Sequence, residues 1–283
     1  YLVWNTNDNW TLKGGVSTGY KVPTANDLHD GINGFTAQGK SVSLGNPDLK
    51  PEKTTNYEIG FVYDDLTNFS LTTTAFFTEF KDLIISGAKT YENCLWESRP
   101  TGSTPASDCM TVGNFSYQEN FSFQGNADEA ESYGVELSAK YDISPNFNVK
   151  ANYTWLESEI TKGENKGQTI ENTPRHAVNL TSTWYVNDQF TTWLEAEYKS
   201  KRTRFTDPTA NTDTIREAEI TGNELKAYEL FNLGASYKVN NQITLSGRIN
   251  NLFDKEYYSN IVYDMQYIYG DPRNTTLSLN YKF

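Results

Sequence analysis

The sequence predicts an all-β protein, a transmembrane antiparallel β-barrel, and three observations lead to this fold class. Apolar and polar residues alternate along about ten segments, which gives each predicted strand one apolar and one polar face. Aromatic residues cluster at the ends of the apolar faces, where a bilayer has its interfaces. Short connections alternate with long ones, as they do between the two rims of an outer-membrane barrel.

The last strand shows the pattern most clearly. Thr275, Leu277, Leu279, Tyr281 and Phe283 face one way, and the polar residues between them face the other. The chain ends on an aromatic residue, as expected for a strand that ends in the aromatic girdle of a membrane barrel. Tyr281 and Phe283 are therefore predicted to be the signal for assembly into the outer membrane.

The same alternation predicts the other strands in order. They cover about 10–20, 57–63, 69–77, 133–141, 147–155, 178–186, 190–198, 231–237, 243–249 and 275–283, and 1–5 is the end of a further strand. Short turns rich in Asn and Asp are predicted at 6–9, 64–68, 142–146, 187–189 and 239–241. Long connections are predicted at about 21–54, 83–130, 160–173, 202–225 and 253–272. Phe283 then lies on the short-turn rim, which is the periplasmic one in a bacterial barrel.

Composition agrees with this class and excludes others. The chain has 283 residues, 19 Tyr, 15 Phe and only 2 Cys and 2 Met, a composition suited to an aromatic-girdled barrel. No stretch approaches the roughly 18 apolar residues of a membrane helix. The net charge of −12 argues against nucleic acid as a partner. Because the chain starts at Tyr1 and within a strand, we interpret it as a piece of a longer mature protein.

Four places along the chain resemble the TonB-dependent outer-membrane receptors. These are 19–28, the sequence Gly-Asn-Pro-Asp-Leu-Lys-Pro-Glu at 45–52 with 54–60 after it, Asn-Asn-Leu-Phe-Asp-Lys-Glu-Tyr-Tyr at 250–258, and Tyr-Gly-Asp-Pro-Arg at 269–273. Within that family, 172–176 and 197–204 look most like the ferric catecholate siderophore and colicin receptors.

The resemblance implies that residues 1–283 are the C-terminal part of the barrel domain, about eleven strands of a barrel of about 22. The plug domain, the TonB box and the N-terminal strands are then absent from this chain. The implied location is the Gram-negative outer membrane. The implied partners are a ferric siderophore, the TonB complex through the missing plug, membrane lipid and lipopolysaccharide, and colicins or phages.

Cys94 and Cys109 share the longest predicted connection and are predicted to form a disulfide, which would contribute roughly 3 kcal/mol in the chain-entropy model. The alternative is two free thiols. His29 and His176 have no second His or Cys at ligand spacing, so no metal site and no cofactor are expected. No Gly-x-Ser-x-Gly, P-loop or Gly-x-Gly-x-x-Gly sequence is present, so the chain is not predicted to be an enzyme.

Cations and aromatic residues in the long connections are the candidate ligand contacts. They are Arg99, Arg202, Arg204, Tyr91, Trp96, Tyr117, Tyr263 and Tyr267. A ferric tris-catecholate is an aromatic trianion, which Arg can pair with and stack on, and to which Tyr and Trp can stack and donate hydrogen bonds. The alternative is that these residues are girdle aromatics and arginines that bind lipopolysaccharide phosphates.

The resemblance therefore implies active import of a ferric siderophore, of the catecholate type, with energy from TonB. A receptor of the same family for haem or another siderophore is the first alternative. A passive porin or adhesin barrel is the second, and a soluble β-sandwich is the third.

Overall fold

The structure is a computed structural model that describes residues 1–36, 39–163, 166–170, 172–203, 224–262 and 266–283. All named elements in these ranges are β-strands. They are β1 (Leu2–Asn5), β2 (Trp10–Lys21), β3 (Ile32–Thr36), β4 (Ser41–Leu44), β5 (Glu52–Asp64), β6 (Phe69–Glu92), β7 (Asn120–Ser144), β8 (Phe147–Lys162), β9 (His176–Tyr185), β10 (Phe190–Lys199), β11 (Arg202–Thr203), β12 (Glu224–Leu225), β13 (Tyr228–Lys238), β14 (Ile243–Asn250), β15 (Tyr258–Val262), β16 (Gln266–Tyr269) and β17 (Asn274–Tyr281). Within the described ranges, no helix is long and apolar enough to cross a membrane.

Eleven strands form one continuous antiparallel wall in the order β1, β2, β5, β6, β7, β8, β9, β10, β13, β14 and β17. Apart from the short strands inside the long connections, each strand pairs with the next one along the chain, which is the meander of a barrel wall. The predicted all-β antiparallel class is confirmed, and so are the predicted ten strands with a further one at the start.

The register of the pairs places the predicted apolar residues on a single face. One row of register partners runs across eight strands through Trp10, Tyr63, Leu71, Ala139, Ala151, Leu180, Ala196 and Phe231. Because side chains alternate between the faces of a strand, the neighbouring rows hold the polar residues on the opposite face. The wall therefore has one apolar side, suited to lipid, and one polar side.

Connections of two lengths lie on the two rims, as predicted. The short turns are 6–9, 65–68, 145–146, 186–189 and 239–242, and the long connections are 22–51, 93–119, 163–175, 200–227 and 251–273. We call the two edges the short-turn rim and the long-connection rim. The backbone N–H of Lys282 donates to the carbonyl of Gln242 at 2.8 Å, so Phe283 lies on the short-turn rim.

An Asn or Asp side chain closes four of the short turns in the same way. The side-chain oxygens of Asn7, Asp65, Asn187 and Asn240 each accept hydrogen bonds from the backbone N–H groups two and three residues later, at 2.8–3.0 Å. This local bond gives the backbone a turn in place of a continuing strand, which is the physical reason for the Asn and Asp enrichment in the sequence.

The Asp65 turn is expected to depend on pH. The backbone N–H groups of Phe69, Thr67 and Asn68 donate to its carboxylate and lower the pKa of Asp65 to about 2. A depressed carboxyl pKa contributes stability above the unfolded-state pKa of about 3.9, and this contribution disappears as the pH falls towards 2. Asp65→Ala should therefore lower the unfolding midpoint at pH 7, and the difference from the parent should shrink below about pH 4.

Asn240→Ala is the matched control, because Asn240 closes an equivalent turn with a side chain that does not titrate. Its difference from the parent should stay constant over the same pH range. Denaturant titrations of the refolded barrel at several pH values measure both. A constant Asp65→Ala difference down to pH 2 would contradict the assignment.

The predicted connection at 83–130 is too long, because β6 continues to Glu92 and β7 begins at Asn120. Register shifts after Phe80 and between Ile85 and Lys89 interrupt the alternation, and the sequence pattern is lost there although the strands continue. The predicted connection at 21–54 also contains the β3–β4 hairpin. Strand β4 pairs in parallel with β7, so the hairpin extends the sheet beyond the long-connection rim.

Candidate functional site

The connection between β6 and β7 contains the disulfide Cys94–Cys109, with an S–S distance of 2.03 Å, as predicted. Asn93, which is fully buried, holds the chain around it: its Nδ2 donates to the carbonyls of Phe115 and Gln118 at 2.6 and 2.8 Å. Its Oδ1 accepts the N–H of Leu95 at 3.0 Å. A buried amide with all three bonds satisfied fixes the path of the loop. We call residues 93–119 the disulfide loop.

Arg99 is bound inside the disulfide loop. Its Nε donates to Glu92 Oε1 at 2.7 Å, its Nη2 donates to the carbonyl of Asn93 at 2.9 Å, and the guanidinium lies 5.9 Å from the ring of Trp96. The N–H of Ala106 and the guanidinium of Arg99 together hold the pKa of Glu92 below its usual value. Arg99 and Trp96 thus stabilise the loop, and their predicted contact with a ligand stays a prediction.

The two predicted ligand tyrosines of this region have different environments. Tyr91, near the end of β6, packs edge-on against Phe123 at 5.9 Å. Tyr117 projects from the disulfide loop with 78% of its surface exposed. Of these two, Tyr117 is the side chain free to meet a molecule that arrives from solution.

A small apolar core joins the disulfide loop to the β3–β4 hairpin. Val42 and Phe121 are fully buried and Leu44 nearly so, and partly buried apolar residues of the disulfide loop and β7 pack around them, namely Met110, Val112, Phe115 and Phe123. The burial of these apolar side chains stabilises one arrangement of the disulfide loop and the β3–β4 hairpin. These loops therefore form a folded platform above the wall.

Asn residues explain two of the sequence motifs in physical terms. Asn126 of β7 binds the motif at 45–52. Its Nδ2 donates to the carbonyl of Lys50 at 2.8 Å, and its Oδ1 accepts a hydrogen bond from the N–H of Lys50 at 2.7 Å. In the motif at 250–258, Asn251 is 3% exposed and its Nδ2 donates to the carbonyls of Lys255 and Asp271 at 2.8 and 3.1 Å. The motifs fasten long connections to the wall. Neither Asn126 nor Asn251 has a sequence pattern that predicts this role.

The motif at 269–273 packs against the same connection. A Cβ atom on Gly270 would collide with the ring of Tyr257, so only glycine leaves room for this ring. Tyr257 also lies 4.5 Å from the ring of Tyr228. Burial raises the pKa of Tyr257.

The polar face of β10 carries a column of side chains, Trp193, Glu195, Glu197 and Lys199. In the half of the column nearer the short-turn rim, Arg248 donates to Glu195 at 3.1 Å and lies 4.9 Å from the ring of Trp193. That ring covers Gly234, where a Cβ would clash with it. In the half nearer the long-connection rim, Lys199 pairs with Glu197 at 3.1 Å and lies 5.9 Å from the ring of Tyr228. Strand alternation placed these residues on one face, but only the register brings Arg248 and Tyr228 to them.

Arg202 lies just above this column. It is 6% exposed, its guanidinium is 5.7 Å from the ring of Tyr228, and it donates to three oxygens of other connections. Arg204 and Tyr263 lie outside the described residues. The backbone of Tyr267 pairs with Ile261 in the β15–β16 hairpin, and its side chain is also outside what the structure describes. The ligand assignments of all four residues stay predictions.

The remaining predicted residues are placed as follows. The rings of Tyr281 and Phe283 contact each other edge-on at 5.0 Å on the short-turn rim, and their role as an assembly signal stays a prediction.

His176 Nδ1 lies 2.9 Å from the hydroxyl of Tyr153. In the part of the chain that the structure describes, no three His, Cys, Asp or Glu side chains form a group that could hold a metal ion.

Comparison with known proteins gives a family match over most of the chain. Residues 1–252 match the family model described as TonB dependent receptor-like, beta-barrel. The iron-regulated outer membrane virulence protein of Vibrio cholerae serotype O1 is 28% identical over 256 residues, which cover 90% of this chain and 35% of that protein. The vitamin B12 transporter BtuB of Photobacterium profundum is 29% identical over 293 residues, covering 99% of this chain and 38% of that protein.

A solved structure has the same fold. The siderophore receptor PirA from Acinetobacter baumannii superposes with a TM-score of 0.70 at 22% identity, over 99% of this chain and 40% of that one. The chain spans about a third of the length of the curated relatives that it matches.

Proposed function

Because the chain belongs to the TonB-dependent receptor-like β-barrel family, we propose that it is part of a receptor that imports a ferric siderophore across the outer membrane. The chain is an outer-membrane β-barrel segment. Its apolar face contacts lipid, its polar face lines the lumen, and its long-connection rim is extracellular. In this proposal an N-terminal plug domain with a TonB box precedes the chain and couples it to the TonB complex. No covalent bond is made or broken, so the protein acts as a transporter.

The observation that carries the ligand class is the half-exposed ammonium of Lys199 beside the ring of Tyr228, at the end of the lumen wall nearer the long-connection rim. The Lys199 side chain is 38% exposed, the ring of Tyr228 lies next to it, and the ring of Tyr257 lies against that of Tyr228. A cation beside aromatic groups suits an anionic aromatic ligand such as a ferric catecholate. In a chain of net charge −12, local cations are needed to attract such an anion.

The predicted contacts in the disulfide loop, together with Tyr91 at the end of β6, complete the proposed site. Tyr117 is exposed at the extracellular side, and Trp96 and Tyr91 belong to the same folded platform. For Arg99 or Arg202 to bind the ligand directly, each guanidinium would have to exchange its present acceptors for ligand oxygens. Lys199 needs only to leave Glu197, which is a smaller rearrangement.

Growth rescue tests the proposal. The full-length receptor that contains this chain is expressed in an iron-starved strain without siderophore receptors, and ferric catecholates, ferric hydroxamates and haem are supplied separately. Rescue by ferric catecholates alone, and only when TonB is present, is the expected result. Rescue that persists without TonB would point to a passive pore, and rescue by haem or hydroxamates alone would contradict the catecholate class.

A cobalamin is the second candidate ligand, because a vitamin B12 transporter matches 99% of this chain. A cobalamin-dependent strain without its own transporter decides this case. Growth at low cobalamin, together with no rescue by any ferric ligand, would replace iron by cobalamin in the proposal.

Replacing Lys199 by Gln is expected to weaken ferric catecholate binding about tenfold, which corresponds to about 1.4 kcal/mol. The loss follows from removing the half-exposed cation next to the ring of Tyr228. Lys201→Gln is the matched control, since Lys201 is an exposed lysine two residues away. Affinities are measured on the purified full-length receptor by intrinsic fluorescence quenching. Equal affinities of the two variants would remove Lys199 from the site.

A further inference from the structure

Two lysines face each other across β5 and β6, on the side of the wall that carries the apolar residues. Lys53 is the register partner of Lys81, and the pair lies four residues beyond the register pair of Tyr57 and Phe77. Because side chains alternate along a strand, an even number of residues keeps both pairs on one face. The rings of Tyr57 and Phe77 are 6.3 Å apart, at the end of the apolar face nearer the long-connection rim. The two ammonium groups therefore lie on the outside of the barrel, beyond its aromatic residues.

The position of this lysine pair along the wall corresponds to the depth of lipid headgroups. Four residues at about 3.3 Å each, in a strand tilted by about 40°, raise the lysines about 10 Å above the two aromatic rings along the membrane normal. Headgroups extend about 5–7 Å beyond the hydrocarbon core. A Lys side chain can bend its long stem towards or away from the membrane. The ammonium groups of Lys53 and Lys81 can therefore reach the headgroup phosphates.

The charges of the two lysines are poorly compensated within the protein. Residues directly opposite in an antiparallel pair have Cβ atoms about 5 Å apart, and like charges in this arrangement repel each other. Lys81 Nζ lies 4.0 Å from Glu79 Oε2, and Lys53 has no ion-pair partner in the described part of the chain. Both lysines are exposed. An anion bound between them would replace this repulsion by attraction.

Three carboxylates lie in the neighbouring row of the same face, and we call them the carboxylate row. They are register partners across β6, β7 and β8, namely Glu79, Glu131 and Glu159. The row lies between the lysine pair and the aromatic rings, and its negative charge repels an anion. The surface that attracts an anion is therefore small and restricted to Lys53 and Lys81. It suits one phosphate group whose apolar part continues along the apolar face of the wall.

We propose that Lys53 and Lys81 bind a phosphate group of lipopolysaccharide in the outer leaflet of the outer membrane. The chain is an outer-membrane β-barrel segment, and the long connections of such a barrel are extracellular. Lipopolysaccharide carries phosphates on the sugars that bear its acyl chains, so its chains contact the apolar face where its phosphate meets the lysines. The bound phosphate fixes the depth of β5 and β6 in the membrane. The site is independent of the imported ligand.

Binding of lipid A, the phosphorylated and acylated part of lipopolysaccharide, tests the site. The full-length receptor that contains this chain is purified, stripped of lipid in detergent and titrated with lipid A that carries both phosphates. Native mass spectrometry measures the bound fraction. Lys53→Gln/Lys81→Gln is expected to lose about tenfold or more in affinity. Lipid A without phosphates should bind the parent and this double variant equally, because only contacts of the acyl chains remain.

Lys140→Gln/Lys150→Gln is the matched control, because these two lysines are also register partners on neighbouring strands. They lie on the polar face near the short-turn rim, and their substitution removes the same amount of charge. The affinity of this control for lipid A should equal that of the parent. Lys53→Arg/Lys81→Arg keeps both charges and should retain the affinity as well. Heat-modifiable migration in gels confirms that each variant is a folded barrel.

Three results would overturn the proposal. Equal lipid A affinities of the parent and Lys53→Gln/Lys81→Gln would remove the lysines from the site. An equal loss in the matched control would show that only the net charge of the barrel matters. Loss of lipid A by the parent when EDTA is added would assign the phosphate to divalent cations on the carboxylate row. Since no ferric ligand takes part, failure of the proposed function leaves this test unchanged.

Discussion

Replacing Gly134 by Val is expected to destabilise the barrel wall by about 3 kcal/mol or more, which is at the upper end of the range for overpacking. A Cβ at this position would collide with the carbonyl oxygen of Trp155, and it would lie 2.9 Å from Phe76 Cζ and 3.2 Å from the Cα of Leu156. Two of these three atoms belong to the backbone of the neighbouring strand and cannot move without breaking the strand pair. The expected result is a lower yield of folded protein and a lower unfolding midpoint.

Gly247→Val is the matched control for this prediction. Gly247 is also a strand glycine, but a Cβ there would meet Leu277 Cδ2 at 3.2 Å, the end of a flexible side chain on the apolar face, and the carbonyl oxygen of Thr276 at 4.0 Å, which is an ordinary contact. Valine suits a strand, so this variant should stay within about 1 kcal/mol of the parent. Urea unfolding in detergent micelles compares the two variants. Equal midpoints would show that the wall at Gly134 can adjust after all.

Replacing Asn251 by Ala is the second change with a large expected effect. Asn251 has a φ of 50°, its side chain bonds Lys255 and Asp271, and its backbone N–H donates to Asn232 Oδ1 at 2.9 Å. Alanine loses the side-chain bonds at a site that is 3% exposed and strains the left-handed backbone. The combined cost is about 3 kcal/mol, of which about 1 kcal/mol is backbone strain.

Glycine at the same position separates these two contributions. Asn251→Gly loses the same bonds but accepts a positive φ, so it should be less destabilising than Asn251→Ala by about 1 kcal/mol. Hydrogen exchange of the backbone in 251–273 measures the local effect. Asn250→Ala, at a more exposed neighbouring position, should change the exchange much less. Exchange in Asn251→Ala no faster than in the parent would contradict the anchoring role.

The membrane part of the wall could be predicted from the sequence because lipid imposes a simple rule. Each side chain that faces lipid must be apolar, so the row from Trp10 to Phe231 is visible as alternation in every strand. The turns were equally visible, because the bond that closes them is local: Asn187, for example, binds N–H groups two and three residues away. Interactions between residues that are close in the chain can therefore be recognised as short patterns in the sequence.

The structure above the bilayer could not be predicted in the same way. The parallel pairing of Ser41 with Asn120 joins residues far apart in the chain, and no short sequence pattern predicts it. Arg202 was predicted as a ligand contact because it is a cation in a long connection, but its burial depends on where Tyr258 and Ser259 come to lie. Lys199 was placed on the correct face by alternation, whereas its neighbour Tyr228 required the register.

Under the proposed function, the length of the β6–β7 hairpin has a consequence for the rate at which a ligand is captured. A strand of 24 residues at about 3.3 Å per residue is about 80 Å long, or about 60 Å along the membrane normal when tilted by about 40°. Since the apolar band of such a barrel is about 25 Å tall, roughly half of the hairpin stands clear of the lipid. A diffusing molecule therefore meets the disulfide loop at its tip before it meets the opening of the barrel. The hairpin enlarges the target for diffusion, and charge substitutions at its tip should change the association rate constant while leaving the dissociation rate constant nearly the same.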